Sequence, residues 1–317
     1  LERGVSALDA LPAAERGEIA KLRMLAAQQF LLKQNFAEPD RHVQSLRKHP
    51  ETAGHAELLA GTIAINERRF EDAITALKLA RVKLGDTIPV LTGLAIAQLN
   101  ARQWSDALDL LRLIYDRLDK SPDEERILAR RYFHTREQVL LAEAAALLAL
   151  GQTDDSFALV KRLENTPFAL QAQLMKISHH RLHGERTEAW QALRAARAKA
   201  PQDFSLVAEE VQLLQSEKSV REAEIVLADY ARQHPQHLES QLAVAQWRLT
   251  HDALDAAVQW LSQLTTRFPR ESAPRILLAD AHLSGNNIDA ADKLIAELKK
   301  VPTAQAAATR LEARAAL

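Results

Sequence analysis

The chain is 317 residues long, enough by length alone for two ordinary domains, and sets 41 Lys and Arg against 42 Asp and Glu. A net charge so close to zero argues against nucleic acid or an anionic membrane as an electrostatic partner. With no cysteine there is no disulfide or thiolate metal site, and no apolar run approaches the roughly 20 residues that cross a bilayer as a helix. Hydrophobic residues make up 47% of the chain while Gly (9) and Pro (11) are few. Together with the abundance of Ala, Leu, Arg, Glu and Gln, this is the composition of an all-α protein.

Residues 1–19 fit no regular unit, because Pro12 falls where a small buried residue is needed, and they read as an N-terminal helix or cap. From residue 20 a period sets in. Phe70-Glu-Asp-Ala73 and Trp104-Ser-Asp-Ala107 each place an aromatic at the start of a helix and a small residue three positions later, 34 residues apart. Ala189, Ala223, Ala257 and Ala291 keep the same step, as do Pro201, Pro235 and Pro269. A unit of that size cannot bury its own apolar face, so copies must stack and share a core. Each copy offers a helix of about 13 residues, a turn such as Gly151-Gln-Thr-Asp, His183-Gly184-Glu or Gly285-Asn286-Asn287, and a second helix.

One interval departs from the rhythm, since Ala107 and Ser156 are 49 residues apart. The extra residues fall in 120–136 and read as a helical insertion, with Ser121 as N-cap and Pro122 in the first turn. The pattern predicts one elongated helix over 122–150, about 40 Å long at 1.5 Å per residue. Its start carries Arg126, Arg130, Arg131, Tyr132 and Phe133, a basic surface with two aromatics and a possible second contact surface.

The spacing of small, large and turn residues resembles that of tetratricopeptide repeats, in a bacterial-type array. Glu57-x-x-Ala60-Gly61-x-x-Ala64 followed by Ala73-x-x-x-Leu77-x-x-Ala80 carries the likeness, as do Leu91-x-x-Leu94-Ala95 and Ala189-x-x-x-Leu193-x-x-Ala196 with Pro201. The resemblance implies an all-α, right-handed α-solenoid of about eight helix hairpins. Repeats one to three would occupy 20–119, repeats four to eight 137–305, and a capping or truncated helix 306–317. It also implies a concave wall lined by the first helix of each hairpin. The fifth position of those helices gives Met24, Leu58, Thr92, Leu141, Leu174, Ala208, Leu242 and Ile276, and amides follow at Asn66, Asn100, Gln212 and Gln246. That row either packs between repeats or docks a peptide or helix of a partner protein. Family members that clamp a chain-terminal carboxylate use a cation where Met24, Leu58 and Leu141 stand here, so that specificity is not implied.

His179, His180 and His183 share a helix face, but no nearby carboxylate in the sequence completes a metal site. No nucleophile elbow, phosphate-binding loop or dinucleotide fingerprint is present. The expectation is a non-catalytic scaffold that needs no cofactor and does not itself enter a membrane. The preferred setting is a bacterial envelope or polysaccharide-export assembly, periplasmic or otherwise extracytoplasmic. The competing expectation is a regulatory or substrate-recruiting domain fused to an enzyme or transcription factor, since the chain reads as a piece of something longer.

Overall fold

The computed structural model describes residues 37–120, 133, 135–251 and 253–315. Among them are sixteen α-helices and no strand. α1 (Ala37–Arg47) precedes seven helix pairs. These are α2 (Ala53–Asn66) with α3 (Phe70–Leu84), α4 (Ile88–Asn100) with α5 (Trp104–Arg117), α6 (Arg136–Ala149) with α7 (Thr153–Arg162), and α8 (Ala169–Leu182) with α9 (Arg186–Lys199). Then come α10 (Phe204–Ser216) with α11 (Val220–Gln233), α12 (Leu238–Thr250) with α13 (Leu254–Arg267), and α14 (Ala273–Ser284) with α15 (Ile288–Leu298). A 3-10 turn leads into α16 (Gln305–Ala315). The chain forms two compact units, one ending at Lys176 and the other beginning at Ile177.

The 34-residue register is a register of burial. Ala73, Ala107, Ser156, Ala189, Ala223, Ala257 and Ala291 are all 0% exposed, each in the second helix of its pair. Only a small side chain lets the second helix approach the first so closely. Ser156 meets the requirement with a hydroxyl, which it donates to the Ala144 carbonyl at 2.8 Å, so no polar atom is stranded. Four residues on, Leu77, Leu111, Val160, Leu193, Leu227, Leu261 and Ile295 fill the space between neighbouring pairs, all at 4% exposure or less.

The turn inside each pair also recurs. Arg68, Arg102, Gly151, Gly184, Lys218 and Asn286 adopt positive φ between 55° and 75°, at the first-helix exits of six of the seven pairs. The next residue's N–H reaches back across the turn, as in Arg69 to the Ala64 carbonyl (2.8 Å), Gln152 to Leu147 (2.8 Å) and Asn287 to His282 (2.8 Å). This left-handed exit closes the orphan carbonyls of the helix end. In the last pair the left-handed residue is Asn286 rather than Gly285.

The elongated helix expected over 122–150 is corrected. α6 begins at Arg136, and Thr135 is an extended N-cap whose hydroxyl accepts from the Gln138 N–H while the Gln138 side chain accepts from the Thr135 N–H. This reciprocal box starts a helix afresh, so none runs through it. Of the possible second surface, one residue is corrected. Phe133 is 6% exposed and packs in the core formed by α1 to α6. Arg126, Arg130, Arg131 and Tyr132 lie outside the described residues. Arg136 is held by Tyr115, donating to its carbonyl at 3.2 Å with the guanidinium 4.8 Å from the ring centre, and pairs with Asp119 at 3.1 Å.

Candidate docking groove

The two units treat the same register positions differently. In the first, Leu77 of α3 sits between two glycines: a Cβ on Gly61 of α2 would fall 2.5 Å from Leu77 Cγ, and one on Gly93 of α4 would fall 3.1 Å from its Cδ2. The absent side chains let α2 and α4 pack directly against each other. In the second unit the same three places are held by Val211 of α10, Leu227 of α11 and Ala243 of α12. Side chains now occupy both sides of the leucine, and α10 and α12 stand further apart.

The space between them is a groove of about 480 Å³. Its floor is apolar, from Ala208, Val211, Leu227, Leu242 and Ala243. Phe204 and Glu239 stand at the end where both first helices begin, and Gln215, Thr250 and His251 at the other. The exposed amides Gln212 and Gln246 face the space from opposite helices. Trp247 forms part of the wall at 8% exposure, stacked on His251 with ring centres 4.1 Å apart. His251 Nδ1 donates to the Trp247 carbonyl at 2.8 Å, while the buried indole N–H of Trp247 has no partner among the described residues.

The groove's first end is built on an aromatic cluster. Phe204 lies 5.3 Å from Tyr230 and 5.2 Å from His237, and Tyr230 stacks on His234 at 4.1 Å. Tyr230 donates its hydroxyl to the Gln202 carbonyl at 2.9 Å. Burial, followed by the nearby carboxylates of Asp203 and Glu239, pushes its phenol above the ordinary range. Each acid is set by a helix start: Asp203 caps α10 through the Ser205 N–H, and Glu239 lies in the first turn of α12.

Of the residues picked out in the sequence, Ala208, Gln212, Leu242 and Gln246 line this one groove together. Leu58 and Thr92, their register mates in the first unit, are 4% and 0% exposed and belong to packing, with the Thr92 hydroxyl donated to the Ile88 carbonyl at 2.8 Å. Asn66 and Asn100 donate their amides to carbonyls of their own helices, Thr62 at 2.7 Å and Ile96 at 2.8 Å. Leu141 packs half-buried against the core around Val160, Leu174 is half-buried in α8, and Ile276 packs against the core around Ile295. Met24 lies outside the described residues. The register alone did not mark Phe204, Glu239 or Trp247. An aromatic beside a helix start and an acid in a first turn were the available signals.

The histidines at the end of α8 are engaged locally. His180 Nδ1 lies 2.5 Å from Glu185, and His183 Nδ1 donates to the His179 carbonyl at 2.9 Å. The His180 hydrogen bond holds the Glu185 carboxyl below its usual range. Burial and then the neighbouring His183 hold His179 below the ordinary histidine range. Among the described residues no cluster has the makeup of a metal site.

Helix pairs with a small residue at each fully buried station and a left-handed turn at six of seven exits form an all-α array of hairpins of the tetratricopeptide type. No family model matches the chain, and no curated protein does. Among solved structures it is similar to a tetratricopeptide repeat protein from Parabacteroides merdae, with a TM-score of 0.42 and 12% identity over 83% of this chain and 99% of that one. It is also similar to the assembly chaperone of RpL4, Acl4, with a TM-score of 0.37 and 14% identity over 85% of this chain and 98% of that one. A third likeness is to Naa15/Naa10 bound to HypK-THB, with a TM-score of 0.39 and 14% identity over 91% of this chain. There this chain spans about half, 48%, of the matched chain.

Proposed function

We propose that this protein is a non-catalytic interaction scaffold that docks a segment of a partner protein in the groove between α10 and α12. The observation that carries the reading is the meeting of Leu242, Gln212 and Gln246 around one open space, while their counterparts Thr92, Thr62 and Ile96 in the first unit lie in or against packed core. An apolar floor supplies contact area and amide walls supply direction, which is how peptide grooves combine affinity with register. Docking, rather than chemistry, also suits the lining, because the one imidazole there is tied to a backbone carbonyl. As part of the same proposal we place the scaffold in an envelope or export assembly, a setting with which a cysteine-free composition is compatible.

The test is Leu242→Glu. A carboxylate on the groove floor is expected to abolish partner capture while helical circular dichroism stays unchanged. In the parent protein a bound partner should slow amide exchange across 204–216 and 238–250. Capture that survives the substitution, or protection that falls outside those helices, would return the groove to a packing role.

A further inference from the structure

The groove carries charge of one sign. Among its lining residues Glu239 is the single carboxylate, and no Lys or Arg lines it. Glu239 is exposed and forms no ion pair among the described residues. The neighbouring acids are spoken for: Glu209 by Arg181 at 3.3 Å, Glu210 by Arg197 at 2.5 Å, and Glu224 by Arg248 at 3.3 Å. The carboxylate left over shares the groove end with Phe204, with Asp203 and Tyr230 close behind the lining. A cation fits such a corner twice, through the Glu239 carboxylate and through the Phe204 ring.

The remaining length favours an extended chain. From Phe204 to Gln215 the wall is about 17 Å long at 1.5 Å per residue, which about five residues of extended peptide would span. Gln212, Gln215 and Gln246 offer donors and acceptors to the unpaired backbone of an extended segment, whereas the backbone of a helix is already paired.

We propose that the groove takes an extended segment bearing a Lys or Arg, whose cation sits at Glu239 beside the Phe204 ring. A Leu-, Met- or Phe-sized side chain a few residues away lies over Leu227 and Leu242. This rests on the docking reading above and adds the chemistry of the occupant.

The experiment is a selection of phage-displayed random heptapeptides against the full chain, followed by fluorescence anisotropy of one selected, capped heptapeptide. Selected sequences should carry a Lys or Arg within two to four positions of a large apolar residue, and binding should weaken as salt rises. Glu239→Gln should lower affinity about two- to fivefold, the size of a solvent-exposed charge pair, and remove most of the salt dependence. Glu239→Lys should reject that peptide and accept its counterpart with Glu in place of the basic residue, a reversal that a purely structural role could not produce.

If no peptide is selected, the docking reading itself falls. If peptides are selected without a basic residue, or Glu239→Gln binds them unchanged, docking stands and the cationic anchor is overturned. Selected peptides that are helical in solution and lose binding on insertion of proline would overturn the extended form. Dimerisation that rises with protein concentration and is removed by Leu242→Glu would make the occupant a second copy of this chain.

Discussion

Gly61, Leu77 and Gly93 in the first unit correspond, position for position, to Val211, Leu227 and Ala243 in the second, and the outcome is opposite. With glycine on both sides the leucine draws the first helices together, and the row that could face a partner becomes core. With valine and alanine there, the same leucine becomes the floor of an open groove. One repeat pattern therefore packs two first helices together in the first unit and leaves a groove between two in the second, and Val211 and Ala243, which make the difference, are part of the groove floor.

The largest effect expected from breaking this contrast is at Gly61→Val. The new Cβ would fall 2.5 Å from the Leu77 side chain, which is itself fully buried and cannot retreat. Overpacking of that kind should cost about 3 kcal/mol, read as a lower denaturant midpoint for the first unit with the second unit unaffected. The converse is the double substitution Val211→Gly with Ala243→Gly. Two glycines inside helices should cost about 2 kcal/mol, and α10 and α12 should close on Leu227. Slower amide exchange across 204–216 and 238–250 in the unbound variant, as expected of helices that have closed, would support the spacer role of these side chains, and unchanged exchange with undiminished binding would refute it.

Most of the architecture was legible because it depends on one station at a time. A residue that must be small to let two helices touch shows itself as Ala73, Ala107 or Ala223 at a fixed step, and all of these stations are fully buried. The start of α6 was equally present as Thr135 and Gln138, but Pro122 and the acids behind it offered an earlier helix start and obscured the box. The groove was legible only in half. Gln212, Leu242 and Gln246 follow from register, yet whether a register position faces solvent depends on residues such as Gly61 and Gly93, which are brought together by a leucine on another helix. That three-body packing has no signature along the chain, and neither does the corner formed by Phe204, Tyr230 and Glu239.

The smallest effect concerns the hairpin exits, where both units share a geometry but not a residue. Gly151 and Gly184 adopt positive φ without steric cost, whereas Arg68 and Arg102 in the first unit and Lys218 in the second hold the same conformation with a Cβ in place. The backbone bonds are the same at both kinds of exit: Ser219 N–H reaches the Leu214 carbonyl at 2.9 Å and Glu185 N–H reaches His180 at 2.9 Å. Lys218→Gly should therefore relieve strain and lose no contact that holds the turn. Part of the gain is returned because glycine is freer in the unfolded chain, which leaves a net stabilisation of about 0.5 kcal/mol. Gly184→Lys is the matched reverse and should destabilise by about 1 kcal/mol. Chemical denaturation of the two variants side by side measures both. Equal and negligible shifts would mean that the turn is held by the helices it joins, and that the left-handed residue plays no part in setting stability.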